Sequence, residues 1–264
     1  MLFEIPKKAD KDLWVRSLLG GEQCILCGEN TTQGRDLFCE TCRRQLNAEA
    51  GWICPRCGAV VSDCLCVPAG MRFAGIGKHI KLFPYYSGAE LVSGKLLFRL
   101  KSRRDRLLAR RIADLWAARV LPLLMTEGRN AADVCVTYVP RSKKRRRENG
   151  TDQAEELAKA LAKRIGCAFF DGISRKTDGQ MQKTLNRADR GKNAESLFVC
   201  TGNPRPCVLL ADDLVTTGET VAACARLLRR EGAETVLCLS LAHTIGGEVD
   251  YLCPEVFCAG ENAG

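Results

Sequence analysis

The sequence predicts an α/β protein, an open and mostly parallel sheet with helices on both faces, preceded by a small cysteine-rich domain. Three observations lead there. Strand and helix patterns alternate through most of the chain beyond residue 69, which implies right-handed crossovers and parallel pairing. The run Cys207 to Ala211 (CVLLA) is apolar without alternation, as a central strand covered on both faces must be. Eight cysteines fall in four close pairs before residue 67, a pattern that core packing does not require.

At 264 residues the chain suits one medium domain and one smaller one, with the boundary expected at residues 1–68 and 69–264. Hydrophobic residues at 46% and charged residues at 27% place it among ordinary globular proteins. No apolar run is long enough to cross a bilayer. The first twenty residues mix Lys7, Lys8, Asp10, Lys11 and Asp12 with apolar positions, unlike a signal peptide, so the expected location is the cytoplasm, without membrane insertion. The net charge of +9 favours polyanions in general. It is concentrated in two stretches: Arg99, Lys101, Arg103, Arg104, Arg106, Arg110 and Arg111, then Arg141, Lys143, Lys144, Arg145, Arg146 and Arg147.

In order along the chain, residues 11–20 show the spacing of a short amphipathic helix ended by Gly20. The pairs Cys24 with Cys27, Cys39 with Cys42, Cys54 with Cys57, and Cys64 with Cys66 follow. Each Cys-x-x-Cys turn puts two sulfurs on one edge of a tight loop, and Gly28 and Gly58 supply the positive φ such turns favour. Eight thiolates suffice for one or two tetrahedral zinc sites, whose binding energy would fold so small a core. Spacing alone leaves sequential and cross-braced pairing open. A redox role fits poorly, because a thioredoxin-like Cys-x-x-Cys occurs once and opens a helix after a strand. The other eight cysteines stand singly in apolar segments, where packing is their role.

Residues 67–75 read as a loop. Residues 89–101 and 106–121 read as helices, 133–139 (DVCVTYV) as a strand stopped by Pro140, and 153–165 as a helix ended by Gly166. The polar stretch 174–193 reads as a mobile loop. After the strand at Cys207 come a turn over 212–220, a helix with Val221, Cys224, Ala225 and Leu228 on one face and Gly232 at its end, and a strand over 235–241.

Chemistry concentrates in VLLADDLVTTGET. A buried strand delivers Asp212 and Asp213 at its carboxyl end, and a Thr- and Gly-containing turn opens directly into a helix. Open amides at a helix N-terminus suit a phosphate. Gly218 lets backbone approach closely, the hydroxyls of Thr216, Thr217 and Thr220 can donate, and the two acids accept from vicinal sugar hydroxyls. A P-loop is excluded because no Gly-Lys is followed by Ser or Thr, and Gly75 with Gly77 lacks the third glycine of a dinucleotide fingerprint. Only His79 and His243 are available for His-dependent catalysis, and both read as packed or surface residues. No catalytic residue is assigned.

Val208 to Thr220 resembles the phosphoribosyl pyrophosphate signature of type I phosphoribosyltransferases. The resemblance implies a ribose role for Asp212 and Asp213, a 5′-phosphate role for Thr216, Thr217, Gly218, Glu219 and Thr220, and Mg²⁺ accompanying the ligand. The chain as a whole is similar to the ComF family of bacterial natural transformation, which joins a double zinc ribbon to a phosphoribosyltransferase-like domain. Val139-Pro140 before a basic loop, Gln153, and the spacing of Gln182, Leu185, Arg190, Asn193 and Phe198 carry that likeness. One segment departs: where the family has Arg-Gly-aromatic-Asn-Gln, residues 149–153 keep only Gly150 and Gln153, and Arg141 or Arg147 is left to meet pyrophosphate. The resemblance implies a phosphoribosyl pyrophosphate-binding protein of DNA uptake that contacts single-stranded DNA through Lys101, Arg103, Arg104, Lys143, Lys144, Arg145 and Arg146, with Tyr85, Tyr86 or Phe98 stacking on bases. Two alternatives are an active phosphoribosyltransferase of base salvage, working by positioning and charge stabilisation, and a zinc-ribbon docking protein for a competence helicase.

Overall fold

The computed structural model describes residues 23–29, 31, 38–85, 91–102, 106–141, 152–176, 197–244 and 251–252. The helix expected at 11–20 lies outside them, as do most of the 174–193 stretch and the basic residues 142–147. In chain order the described elements are α1 (Glu40–Ala50), β1 (Val67–Pro68), α2 (Ala69–Phe73), β2 (Ile76–Tyr85), α3 (Val92–Ser102), α4 (Arg106–Thr126) and β3 (Val134–Tyr138). There follow α5 (Gln153–Ile165), β4 (Ala168–Phe169), β5 (Ile173–Arg175), β6 (Phe198–Cys200), β7 (Cys207–Val215), α6 (Glu219–Arg230), β8 (Thr235–Thr244) and β9 (Tyr251–Leu252).

Five strands make one sheet in the order β2-β8-β7-β3-β4, and every neighbouring pair in it is parallel. Going along the chain, β3 to β4 steps towards one edge, whereas β7 to β8 to the other. The order therefore reverses between β3 and β7, which creates a crevice beyond their carboxyl ends. Helices cover both faces, as expected. Leu96, Leu108, Trp116, Leu157 and Leu161 pack on one side; Met71, Ile76, Val221 and Leu228 pack on the other. The strand β7 is buried through its first five residues, which accounts for its unbroken apolar run.

Several boundaries match their local chemistry. Helix α5 spans Gln153–Ile165 and ends on Gly166 at φ 72, a left-handed cap that other residues adopt at a cost. Helix α4 continues past the expected end at 121 to Thr126 despite Pro122, and Leu124 beyond the proline is fully buried. The 67–75 segment is not a plain loop. It holds β1, paired antiparallel with β9, and the single-turn helix α2, anchored by buried Met71. The edge strand β2 is invisible to periodicity, since His79 and Lys81 interrupt its apolar residues while being fully buried themselves.

The cysteine-rich segment rests on this framework. Ile25 and Leu46 join the main core, and the Glu49 carboxylate of α1 accepts from the amides of Val92 (2.5 Å) and Ser93 (2.9 Å) at the start of α3. Among the described residues no helix is long and apolar enough to cross a membrane.

Removing the buried side chain in Leu161→Ala is expected to lower stability by about 2–5 kcal/mol. Phe98→Ser, at a position 71% exposed, should change it by less than about 0.5 kcal/mol. Urea denaturation of both variants checks the assignment of core and surface.

Candidate functional site

The crevice at the carboxyl ends of β3 and β7 gathers the residues singled out by motif. Strand β7 runs through the acidic pair as far as Val215, with Asp212 opposite Ser240 and Val215 opposite His243 of β8. The Asp213 side chain is 6% exposed and forms an ion pair with Arg141, itself 15% exposed. That contact bridges the reversal point from the end of β3 to the end of β7. Arg141 is held from behind as well, because its backbone amide donates to Asp152 Oδ2 at 2.9 Å, at the residue that precedes α5. No sequence signal had singled out Asp152, although an Asp directly before a helix is a common N-terminal residue.

The two neighbouring acids differ. Asp213 has its cation. Crowding by protein raises the Asp212 carboxyl well above its ordinary value, the adjacent negative charge of Asp213 adds to the rise, and Arg141 opposes it only in part. Asp212 Oδ1 also accepts from the Asp213 amide at 2.8 Å, which orders the pair.

Gly218 follows the turn at φ 79 and precedes α6, whose N-terminus has no side-chain cap. A Cβ at Gly218 would overlap the Met71 side chain of α2, so both the left-handed backbone and the close approach require glycine here. Thr216, Thr217, Glu219 and Thr220 are exposed, and the first-turn amides of α6 lack intrahelical acceptors. This is an anion-accepting end beside an acidic pair. Of the residues assigned to the basic loop, Arg141 alone is described. Arg147, Arg103, Arg104, Lys143, Lys144, Arg145 and Arg146 lie outside the described residues, as does the side chain of Lys101.

Both histidines are packed, as read from the sequence. His79 and His243 are buried and meet edge to face at 5.2 Å. His79 Nε2 shares a 2.8 Å hydrogen bond with Ser240 Oγ, and His243 Nδ1 lies 3.0 Å from the Val215 carbonyl, to which it donates. Burial lowers His243 to about 4, a neutral ring at ordinary pH.

The eight N-terminal cysteines form two groups, Cys24, Cys27, Cys39, Cys42 and Cys54, Cys57, Cys64, Cys66, each with its sulfurs within 4.8 Å of one another. Pairing is therefore sequential and not cross-braced. Four sulfurs at about 2.3 Å from one ion stand about 3.8 Å apart, and Cys27 Sγ and Cys39 Sγ are 3.6 Å apart. The two turns share one construction: Gly28 and Gly58, at φ 81 and 70, donate to the carbonyls of Cys24 and Cys54, each at 2.9 Å. Cys39 and Cys42 sit at the N-terminus of α1, which returns both sulfurs to the first turn. In the second group S–H donation from Cys64 and Cys66 pushes the Cys54 thiol down, and hydrogen bonding to Cys54 and then Cys64 pushes the Cys66 thiol up. Thiols that share protons in this way are fitted to exchange them for a metal ion. Each group can hold one ion, and all-sulfur donors suit zinc.

No family model matches the chain. It is similar to the DNA utilization protein YhgH of Salmonella typhi, 29% identical over 230 residues that make up 84% of this chain and 97% of that protein. Its counterpart from Escherichia coli (strain K12) is 27% identical over 231 residues with the same coverage. Competence protein F of Haemophilus influenzae is 26% identical over 235 residues, 83% of this chain and 96% of that one. The chain is a homologue of proteins named DNA utilization protein YhgH and competence protein F. The likeness covers more than four-fifths of this chain and nearly the whole of each of these relatives.

A carboxyl raised in the folded state binds more protons folded than unfolded, so stability falls as pH climbs from the ordinary Asp value through the raised one. Asp212→Asn removes that burden while keeping an Oδ1 acceptor. It should raise the thermal midpoint at pH 7–8, on the order of 2–4 °C for a domain of this size. The gain should vanish at acid pH, where Asp212 is protonated anyway; thermal melts across pH read both limbs.

Proposed function

We propose that this chain binds phosphoribosyl pyrophosphate at the Asp212 to Thr220 site, holds zinc in both cysteine groups, and acts on single-stranded DNA. One arrangement carries the reading: an acidic pair and an uncapped helix N-terminus beyond the carboxyl ends of β3 and β7, with Arg141 facing them. The 5′-phosphate suits the first-turn amides of α6 and the hydroxyls of Thr216, Thr217 and Thr220. Vicinal ribose hydroxyls donate to Asp212 and Asp213. Arg141 then passes from Asp213 to pyrophosphate oxygens, which accept a planar guanidinium in two-pronged fashion. Mg²⁺ bound together with the ligand would add positive charge at the pyrophosphate beside Arg141.

The DNA role rests on the names of the relatives, DNA utilization protein and competence protein F. It is supported by charge, +9 overall, and by exposed Phe98 one helical turn from exposed Lys95 on α3, a combination that suits a stacked base beside a phosphate. The basic residues Lys143, Lys144, Arg145 and Arg146 adjoin Arg141 in sequence, so a nucleic acid held there lies beside the ribose-phosphate site. The same site geometry favours transfer of the ribose phosphate to a nucleophile, a reaction that asks for positioning and charge stabilisation more than for a protein nucleophile.

Titration calorimetry with phosphoribosyl pyrophosphate and Mg²⁺ tests the binding claim. The wild type should bind, and Asp212→Asn combined with Asp213→Asn should weaken binding at least about tenfold, the usual cost of lost charged hydrogen bonds. Equal binding by both proteins would rule the site out. Pyrophosphate release during the titration would add turnover to binding. Single-stranded DNA affinity should fall steeply with salt, and Glu replacements at Lys143, Lys144, Arg145 and Arg146 should reduce the slope by about 0.7 per lost phosphate contact.

A further inference from the structure

The second cysteine group is built differently from the first at its last two ligands. Cys54 and Cys57 sit on a turn closed by Gly58, but Cys64-Leu65-Cys66 has a tighter spacing and no glycine of its own. Its carbonyls are held instead by β2. Lys81 Nζ donates to the Cys64 carbonyl at 3.0 Å and to the Cys66 carbonyl at 3.1 Å, and the His79 amide donates to the Leu65 carbonyl between them at 3.3 Å. The third Lys81 proton goes to the His79 carbonyl at 3.3 Å. All three ammonium donors are thus used, each on a neutral acceptor.

Lys81 is 2% exposed, and no carboxylate forms an ion pair with it among the described residues. Burying a cation without an opposing charge is strongly unfavourable. Four thiolates around a divalent ion leave a net negative charge of about two, and the carbonyls that Lys81 holds belong to two of those thiolate residues. Among the described residues no buried lysine holds the carbonyls of the first group, and the α1 cations Arg43 and Arg44 are exposed and pair with Glu40.

We propose that Lys81 is the positioning and charge-compensating residue of the second metal site, holding the Cys64 to Cys66 arc in ligating geometry and balancing the tetrathiolate. This rests on zinc occupancy of that group. The second ion would thus be tied through Lys81 to the edge strand of the sheet, a polar link that the first group does not show among the described residues. The two sites should release metal at different rates.

The test uses full-length zinc-loaded protein in which Cys24→Ser and Cys27→Ser remove the first site, so that a colorimetric chelator reads the second ion alone. Lys81→Met should speed its release by about tenfold or more, the scale of lost outer-shell support. Lys81→Arg, which keeps the charge, should stay within about threefold of the parent. Cobalt substitution gives an independent readout: the thiolate-to-cobalt absorption should weaken in Lys81→Met and persist in Lys81→Arg. Unchanged release and absorption in Lys81→Met would overturn the assignment while leaving zinc binding intact; a parent protein without metal in this group would overturn both. A measurement on the unsubstituted chain avoids reliance on a folded Met variant. Acylation of Lys81 by an amine-reactive ester, read by mass spectrometry, should be slow with zinc and at least about tenfold faster after the metal is stripped, because the arc that covers it is released. Equal rates with and without zinc would contradict the proposal.

Discussion

Two carboxylates on consecutive residues, at the end of a strand whose preceding five positions are buried, repel each other in a place where water can screen them little. The protein meets that constraint unevenly. Arg141 reaches across from the end of β3 to Asp213, while Asp212 is left with a raised carboxyl. Much of the surrounding structure follows from keeping this arrangement in place. The Arg141 backbone is tied to Asp152 before α5, the turn after the acids is kept close by Gly218 against Met71, and the carbonyl of Val215 is held by buried His243. Unfavourable charge stored at the open end of a rigid strand is a common mark of a binding site, since a ligand relieves it.

The cysteine segment solves a different problem. Its own apolar clusters contain little besides the cysteines, too little to fold a segment of this length unaided. Two metal ions would supply the missing energy, and the segment is fastened to the α/β domain by contacts that include Glu49 at the start of α3, Asp63 with Arg119 of α4, and Lys81 with the carbonyls of Cys64 and Cys66. The cysteine segment also shares Ile25 and Leu46 with the main core.

What could be read in the sequence was what local chemistry decides. The limits of α5 follow from its apolar face and Gly166, and the start of β7 follows from an unbroken apolar run, but β7 continues through both acids to Val215, so the turn expected over 212–220 is confined to residues 216–218 before α6. The four cysteine pairs announced two ligand groups, but their sequential pairing depends on how α1 returns Cys39 and Cys42 to the first turn, which spacing does not encode. Strand β2 escaped because its pattern is broken by His79 and Lys81, buried polar residues whose partners are far away in sequence at Ser240 and Cys64. The role of Met71 as the floor under Gly218 escaped for the same reason. Arg141 was legible as part of a basic run, whereas its contact with Asp213 is a product of the strand order.

Met71 offers the most direct measurement, because its side chain lies against Gly218 in the turn that is assigned to the ribose phosphate, while Met125 on α4 is 62% exposed and serves as an internal control. In protein labelled with ¹³C at the methionine methyls, addition of phosphoribosyl pyrophosphate with Mg²⁺ should shift the Met71 resonance saturably and leave Met125 in place. The shift should be absent when Asp212 and Asp213 are both Asn. A Met71 resonance that stays unchanged at saturating ligand, or that moves equally in the Asn variant, would contradict the placement of a ribose-phosphate site at this turn.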